Sequence, residues 1–426
     1  MTVLAKKRTE EAIMGERYTA TWPPPGSDAV RCSTSLDVAL LTGGQDRHYA
    51  VGLGTALMEQ DITLDVIGSD EIDGPEFQGN VHVSIRNLHG SQHSASIARR
   101  IGRILVFYAR ILRYTATAKP KIFHILWNNK LQLLDRTLLI LFYKLAGKKV
   151  VITAHNVNAG RRDKRDSRLN RFTLRCQYKL SDHLFVHTRR MKGELVREFG
   201  VKPDGITVIP YGINNAVPST VLTGEDARRK LGLRNGEKAI LFFGAIKRYK
   251  GLEYLVLAFQ QIAARGDYRL IIAGERKKDW EEYWRSIQQI IERDPSRNKV
   301  LQRISFISDE ETEIYFKAAD VAVLPYTEIF QSGILFLAYS FGLPVIATDV
   351  GSLAEDIVEG RTGFVCRPRD SDSLATLIEQ YFETDLYKDL GHRRQDIREY
   401  ALSRHSWSTV ADLTKNVYVK LLECVS

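Results

Sequence analysis

Apolar positions in this chain fall into short continuous runs that alternate with stretches of helical spacing, a pattern typical of parallel α/β structure. In the first half, Leu36–Leu41, Leu64–Ile67, Val81–Ile85, Ile122–Trp127, Val150–Ala154, Asp182–Val186 and Ile206–Ile209 read as strands. Between them, Tyr49–Met58, Ser94–Tyr114, Leu131–Ala146 and Lys192–Phe199 read as helices. A second series follows, with strands expected at Ala239–Phe243, Leu270–Ala273, Ile304–Ile307, Val321–Leu324 and Val345–Thr348. Its helices are expected at Gly251–Ala264, Glu310–Ala318, Leu374–Phe382 and Ser406–Leu422. At 426 residues the chain is too long for one core of ordinary size, so two domains of roughly 200 residues are expected.

The most informative stretch runs from Leu324 to Glu355, entered by the apolar run Val321–Leu324. A buried strand ends at Pro325, and a loop then meets Ser332 and Gly333. Ile334, Leu337, Ala338 and Phe341 line one face of a helix that stops at Gly342 and Pro344. Ser332 is the expected N-cap, and Gly333 would let a ligand approach the backbone. A helix start offers unpaired N–H groups and the positive end of the helix dipole, which suits a phosphate. An ordinary βαβ unit with its caps would look much the same.

Three other loops carry candidate chemistry. Thr42-Gly43-Gly44 follows the first strand, where paired glycines would let a substrate lie against the backbone; a tight turn without a ligand is the alternative. His155-Asn156 emerges from a central strand toward a cleft, as a reactive group or as a satisfied structural histidine. Lys247, Arg248 and Lys250 crowd one glycine-flanked loop at a strand's carboxyl end. Three cations so confined repel one another unless an anion joins them.

Lys and Arg number 61 against 51 Asp and Glu, and the resulting +10 suggests an anionic partner. No aromatic-basic RNA-binding strand, zinc-finger spacing or helix-turn-helix is present, so nucleic acid is not the expected partner. The helix after Ser94 has an apolar stripe through Ile97, Ile101, Ile104, Tyr108 and Ile111, with Arg99, Arg103, Arg110 and Arg113 opposite. It could lie on an anionic membrane or simply pack on a sheet with its arginines in water. The basic run Arg161, Arg162, Lys164, Arg165 and Arg168 could steer an anionic donor, touch phospholipid headgroups or be a solvated face. Cys32, Cys176, Cys366 and Cys424 are too scattered for a zinc site or a disulfide framework and fit a reducing cytoplasm. Asp370-Ser371-Asp372 precedes a helix and reads as its cap, not as a metal site. No apolar run is long enough for a signal peptide or a membrane span.

The stretch Leu324–Glu355 resembles the donor-binding segment of the retaining GT-B glycosyltransferases of family 4, typically PSxxEGFGxxxLEAMAxGxPVVATxxGGxxE. Gly342, Pro344, Val345, Ala347, Thr348, Gly351 and Glu355 match. The family's two glutamates, spaced E-x7-E, do not: Ile329 and Leu337 stand at those positions, with Glu328 one residue off. The chain is similar to a branch with QSG and an apolar helix, in which the ribose is recognised otherwise or Glu328 swings in. The segment VIPYGIN resembles the family's VIPNGVD. Against GRLxxxKG, Lys250 and Gly251 match and Ala245 stands at the arginine position, leaving Lys247 or Arg248 to take its role. Thr153 and His155 match a T-x-H segment.

The resemblance implies two Rossmann-like doubly wound domains facing a central cleft. The expected division is a mobile leader over 1–33, an acceptor-side domain over 34–213, a linker over 214–237, a nucleotide-sugar domain over 238–400 and a closing helix over 401–426. It also implies transfer of a hexose-type sugar from a nucleoside diphosphate sugar to a glycan or lipid-linked acceptor, in surface polysaccharide or glycolipid synthesis. No metal or cofactor is implied, and the protein would work in the cytoplasm, at the inner face of a membrane if the basic helix touches lipid. His155, Lys247 and Lys250 become the expected catalytic residues. Gly43, Gly44, Arg248, Glu328, Ser332, Gly333, Ile334 and Glu355 become the expected donor-binding residues. A nucleotide-sugar 2-epimerase and a non-catalytic donor-binding subunit are the alternatives.

Overall fold

The computed structural model describes residues 36–423 except 44–46, 70–71, 73, 75, 78, 90–96, 130, 163–165 and 214–216. The expected leader, Gly44, Lys164, Arg165, Cys32 and Cys424 lie outside the described residues, as does the side chain of Arg99.

Two parallel sheets carry the fold. The first comprises β1 (Leu36–Leu41), β2 (Ile62–Gly68), β3 (Val83–Asn87), β4 (Ile122–Ile125), β5 (Lys149–Thr153), β6 (His183–Val186) and β7 (Ile206–Val208), in the order β3-β2-β1-β4-β5-β6-β7. The second comprises β8 (Lys238–Phe243), β9 (Tyr268–Ala273), β10 (Val300–Arg303), β11 (Val321–Leu324), β12 (Val345–Thr348) and β13 (Gly363–Cys366), in the order β10-β9-β8-β11-β12-β13. In each sheet the order reverses beside the first strand, between β1 and β4 and between β8 and β11. Such reversals open a crevice outside the carboxyl ends of the strands, where ligands of doubly wound folds bind.

Helices cover both faces of the sheets, which is why the strands read as unbroken apolar runs. On the first sheet α1 (Arg47–Met58) packs over Val38, Leu40, Leu64 and Val66. The opposite face lies under α2 (Ile97–Thr117), α3 (Gln132–Leu134, a π turn at Asp135–Leu139, and Ile140–Leu145), α5 (Arg168–Leu180) and α6 (Arg189–Phe199). The short α4 (Ala159–Arg162) precedes α5. The second half adds α7 (Gly224–Lys230), α8 (Leu252–Ile262), α9 (Glu281–Glu292), α10 (Asp309–Ala318), α11 (Gly333–Ser340), α12 (Ser371–Tyr381), α13 (Asp385–Lys388), α14 (Leu390–His405) and α15 (Trp407–Glu423). Side-chain oxygens of Ser167, Thr188, Thr223, Ser308 and Asp370 accept backbone N–H groups at helix starts. Asp370 is thus a cap, as its place before a helix predicts.

The last helix returns to the first sheet. The Trp407 ring lies so close to Gly52 and Gly212 that a Cβ at either would come within 2.2 and 2.4 Å of it, and its Nε1 donates to the Ile213 carbonyl at 2.8 Å. Farther along, the Tyr418 hydroxyl meets His124 Nδ1 at 2.5 Å under the centre of the sheet.

Four local expectations need correction. The strand expected at Ile304–Ile307 is β10, four residues earlier, and Phe306 is exposed. Val81 is also exposed, and β3 starts at Val83. A π turn interrupts the helix expected over Leu131–Ala146. The stripe expected to bury α2 is only partly buried: Tyr108 and Ile111 are, but Ile101 is 55% exposed. In each case the apolar run is real, and packing decides which part of it is covered.

Candidate active site

The cation loop begins where β8 ends, at Gly244. Arg248–Lys250 forms a 3-10 turn, and Gly251 follows at φ +64°, with Pro325 so near that a Cβ would lie 2.0 Å from its carbonyl oxygen. Only glycine allows that approach. The two loops are tied again where the Thr327 N–H donates to the Tyr249 carbonyl at 2.8 Å.

This contact brings Lys250 to the start of α11. A Cβ built on Gly244 would lie 2.8 Å from Lys250 Nζ and 3.4 Å from Ile334 Cδ1, so the ammonium is held between Gly244 and the first turn of the helix. Lys250 is buried, with Nζ 5.5 Å from the centre of the Tyr326 ring. Burial, then Lys247 and Arg162, push its pKa down to about 7. An arriving anion would favour the charged form.

Ser332 occupies the N-cap position of α11, but its side chain makes no capping bond, which corrects the expected cap. The Tyr211 hydroxyl would lie 3.3 Å from a Cβ on Gly333, and the Tyr211 ring stacks on Phe336 at 5.2 Å. Arg248 takes a different direction from Lys250: its guanidinium lies over the Tyr283 ring at 5.1 Å, on α9. The structure does not bring it into the Lys250 group, because side chains two residues apart in a 3-10 turn, with three residues per turn, point in different directions.

On the first sheet, His155 stacks face to face on Trp127 at 4.3 Å and meets His187 through a 3.0 Å hydrogen bond between Nδ1 and His187 Nε2. Its Nε2 is buried without a hydrogen-bond partner. Burial, then His187 and His124, hold its pKa well below the usual histidine range, so the ring is neutral at pH 7. Gly43, at φ +60°, presses on Trp127, whose carbonyl oxygen would lie 2.6 Å from a Cβ there. Tyr211 links this group to α11, 6.3 Å from His155 and 4.9 Å from His187 between ring centres.

Arg162, at the end of α4, completes the arrangement from the other half. Its guanidinium lies over the Tyr249 ring at 4.8 Å, and Lys247 Nζ lies 5.8 Å from the same ring. Arg162 also donates to Asn156 Oδ1 at 3.3 Å. Glu328 lies close enough to Arg161 to help hold its charge. Glu355 stands apart in a 3-10 turn, its pKa raised by burial and held back by Arg190 and Arg189. Gln331 faces inward, donating to Asp356 Oδ2 at 2.9 Å and contacting the Ser352 hydroxyl. Leu337, at the second glutamate position of the resemblance, is buried. Among the described residues no three His, Cys, Asp or Glu side chains converge as a metal site.

The sequence reading left His187, Trp127 and Tyr211 out of the site and treated Arg162 only as part of a basic run. The place of His187 follows from the strand pairing: Thr153 pairs with Phe185, so His155 and His187 each stand two residues beyond paired positions. Nothing along the chain indicates that Arg162 reaches Tyr249.

Comparison with known proteins follows the division of the sheets. The Glycosyltransferase Family 4 model matches residues 42–217, and the Glycosyl transferases group 1 model matches residues 224–404. An uncharacterized glycosyltransferase of Methanocaldococcus jannaschii is 29% identical over 55% of this chain and 59% of its own length. A D-inositol 3-phosphate glycosyltransferase of Corynebacterium diphtheriae is 28% identical over 63% of this chain and 64% of its own length. The chain thus spans less than two thirds of these relatives. Among solved structures, sucrose-phosphate synthase of Thermosynechococcus elongatus superposes with a TM-score of 0.70 at 20% identity, covering 91% of this chain and all of that one. HepE of Anabaena in complex with UDP-glucose gives 0.68 at 16% identity, covering 91% and 100%. The fold is GT-B.

Proposed function

We propose that this chain, built on the GT-B fold and matched along its halves by the models of glycosyltransferase family 4 and glycosyl transferases group 1, is a retaining glycosyltransferase. It moves a hexose-type sugar from a nucleoside diphosphate sugar to a hydroxyl of a glycan or lipid-linked acceptor, in surface polysaccharide or glycolipid synthesis. The observation that carries this reading is the burial of Lys250 between Gly244 and the start of α11, with Lys247 and Arg162 beside it. A buried cation flanked by two more is costly without an anion and well placed with one.

In this reading the diphosphate lies against Lys247, Lys250 and the amides at Ser332 and Gly333. The bond from the anomeric carbon to the phosphate oxygen breaks, and its electron pair stays on that oxygen, where the cations neutralise it. The acceptor hydroxyl bonds to the carbon from the same face and gives its proton to the departing phosphate. His155, neutral and with Nε2 unpartnered, holds a sugar hydroxyl. The reaction needs no metal or cofactor, because side-chain cations supply the charge. It takes place in the cytoplasm, which suits the free thiols Cys176 and Cys366.

A panel of nucleotide sugars and their diphosphates, screened by thermal shift, should raise the unfolding midpoint for one base and sugar. With that donor, Lys250→Ala should raise the barrier by roughly 3 kcal/mol. Unchanged turnover in the variant, conversion of the donor to an epimer, or binding with neither transfer nor hydrolysis would each replace this reading.

A further inference from the structure

His187 stands behind His155 at the carboxyl end of the first sheet, one residue past β6. The two imidazoles share one hydrogen bond, between His155 Nδ1 and His187 Nε2 at 3.0 Å. Both rings are held in place: His155 lies face to face on Trp127 and edge-on to Tyr49 at 4.5 Å, and His187 meets Tyr211 at 4.9 Å. Burial keeps both neutral at pH 7, with the His187 pKa pushed down to about 4. Each ring then carries one proton, and one of those protons lies between the two. Which ring supplies it decides what His155 shows on its far side.

The surroundings of His187 decide the matter. Val186 pairs with Val208 in the parallel ladder, so Ile209 and Pro210 run on beside His187. The Ile209 N–H is taken by the Val186 carbonyl at 2.8 Å, and proline has no N–H to give. That segment therefore offers the ring only carbonyl oxygens, and those of Ile209 and Pro210 raise the His187 pKa against the larger effect of burial. Carbonyls accept and never donate. His187 Nδ1 is buried and makes no close hydrogen bond, so it is more stable carrying its proton than setting a bare lone pair against those oxygens. With Nδ1 protonated, His187 Nε2 must accept and His155 Nδ1 must donate. His155 Nε2 is left with a lone pair and no partner.

We propose that His187 is a positioning residue that fixes the tautomer of His155, so that a lone pair and not an N–H faces the sugar. The proposal rests on the reading that His155 holds the sugar of a nucleoside diphosphate donor. The lone pair accepts a hydrogen bond from a hydroxyl and repels groups that can only accept, so a hydroxyl suits this spot and a carboxylate does not. It also turns the negative end of the ring dipole toward the sugar, which gains positive charge as its bond to phosphate breaks. The other tautomer would set an N–H against that charge and slow the reaction. It would hardly change the grip on the diphosphate, which lies against Lys247 and Lys250.

Nitrogen-15 spectra of the full chain labelled at histidine test the tautomer with no donor present. The His155 signals, identified by their loss in His155→Gln, should show a protonated Nδ1 and an unprotonated Nε2. In His187→Leu, which removes the acceptor, the proton should move to Nε2. His187→Gln, whose side-chain oxygen can accept from His155 Nδ1, should leave it in place. With the nucleoside diphosphate hexose that the donor screen selects, His187→Leu should lower kcat roughly thirtyfold, within the range for removing the partner behind a functional histidine. KM and the affinity for the free nucleoside diphosphate should stay within about twofold, and His187→Gln should keep most of the turnover. A proton on His155 Nε2 in the parent would overturn the proposal. So would equal turnover in the parent and His187→Leu, or equal losses in the leucine and glutamine variants with lowered thermal midpoints, the mark of a merely structural role. If the parent transfers no sugar, the proposed function falls while the spectra still decide the tautomer.

Discussion

Replacing Lys250 with methionine should make the protein more stable while weakening its grip on a nucleoside diphosphate. The Lys250 pKa falls from the ordinary 10.5 to about 7 in the folded chain, chiefly through burial. Because the folded pKa lies below the unfolded one, the unfolded state binds more protons between those values, and stability rises with pH there. Below pH 7 the ammonium is charged in both states, and the fold bears the full cost, about 5 kcal/mol. At pH 9 about 2 kcal/mol remains, and above pH 10.5 almost none. Methionine keeps an unbranched apolar stem beside Tyr326 and has no charge to bury. The stability gain of Lys250→Met should therefore be largest near pH 6 and shrink steadily toward pH 10. Urea unfolding of both proteins at several pH values measures it, with the midpoints compared at each pH. A gain that does not change with pH, or a variant less stable than the parent at pH 6, would refute the burial argument. In the same samples, the midpoint rise given by the nucleoside diphosphate that the donor screen selects should be smaller in the variant.

Two further outcomes follow from the geometry. Arg162→Gln should weaken diphosphate binding about tenfold, the scale of one lost charge-assisted contact, and reduce its salt dependence; calorimetric titration would show it. Trp407→Ala should cost roughly 3–5 kcal/mol, as for other buried aromatic truncations, because it empties the space between Gly52 and Gly212 and loses the bond to the Ile213 carbonyl. Hydrogen exchange should then speed up first in α15.

Much of this was legible along the chain because the relevant forces are local. Strands buried on both faces must be apolar throughout, so runs such as Ala239–Phe243 stood out. Gly342, at φ +64° with the Arg394 carbonyl 2.1 Å from where a Cβ would be, ends α11 where the pattern ended it. The loop of Lys247, Arg248 and Lys250 was visible as charge, and Gly251 as the residue that lets it turn.

Other features depended on what packs against what. The sequence alone determined two runs of alternating strands and helices, the loops at their carboxyl ends and the cations in one of them. These follow from hydrophobic periodicity and backbone freedom, which act over a few residues. Tertiary structure alone decided that Lys250 meets the start of α11 while Arg248 turns to Tyr283, that His187 stands beside His155, and that Arg162 crosses to Tyr249. It also decided that the leucines of α3 face outward, since a π turn at Asp135–Leu139 shifts the helical register in a way no fixed period describes. Each of these depends on residues far apart in the chain or on which side of a helix finds a neighbour, and neither is recorded in the order of the amino acids near them.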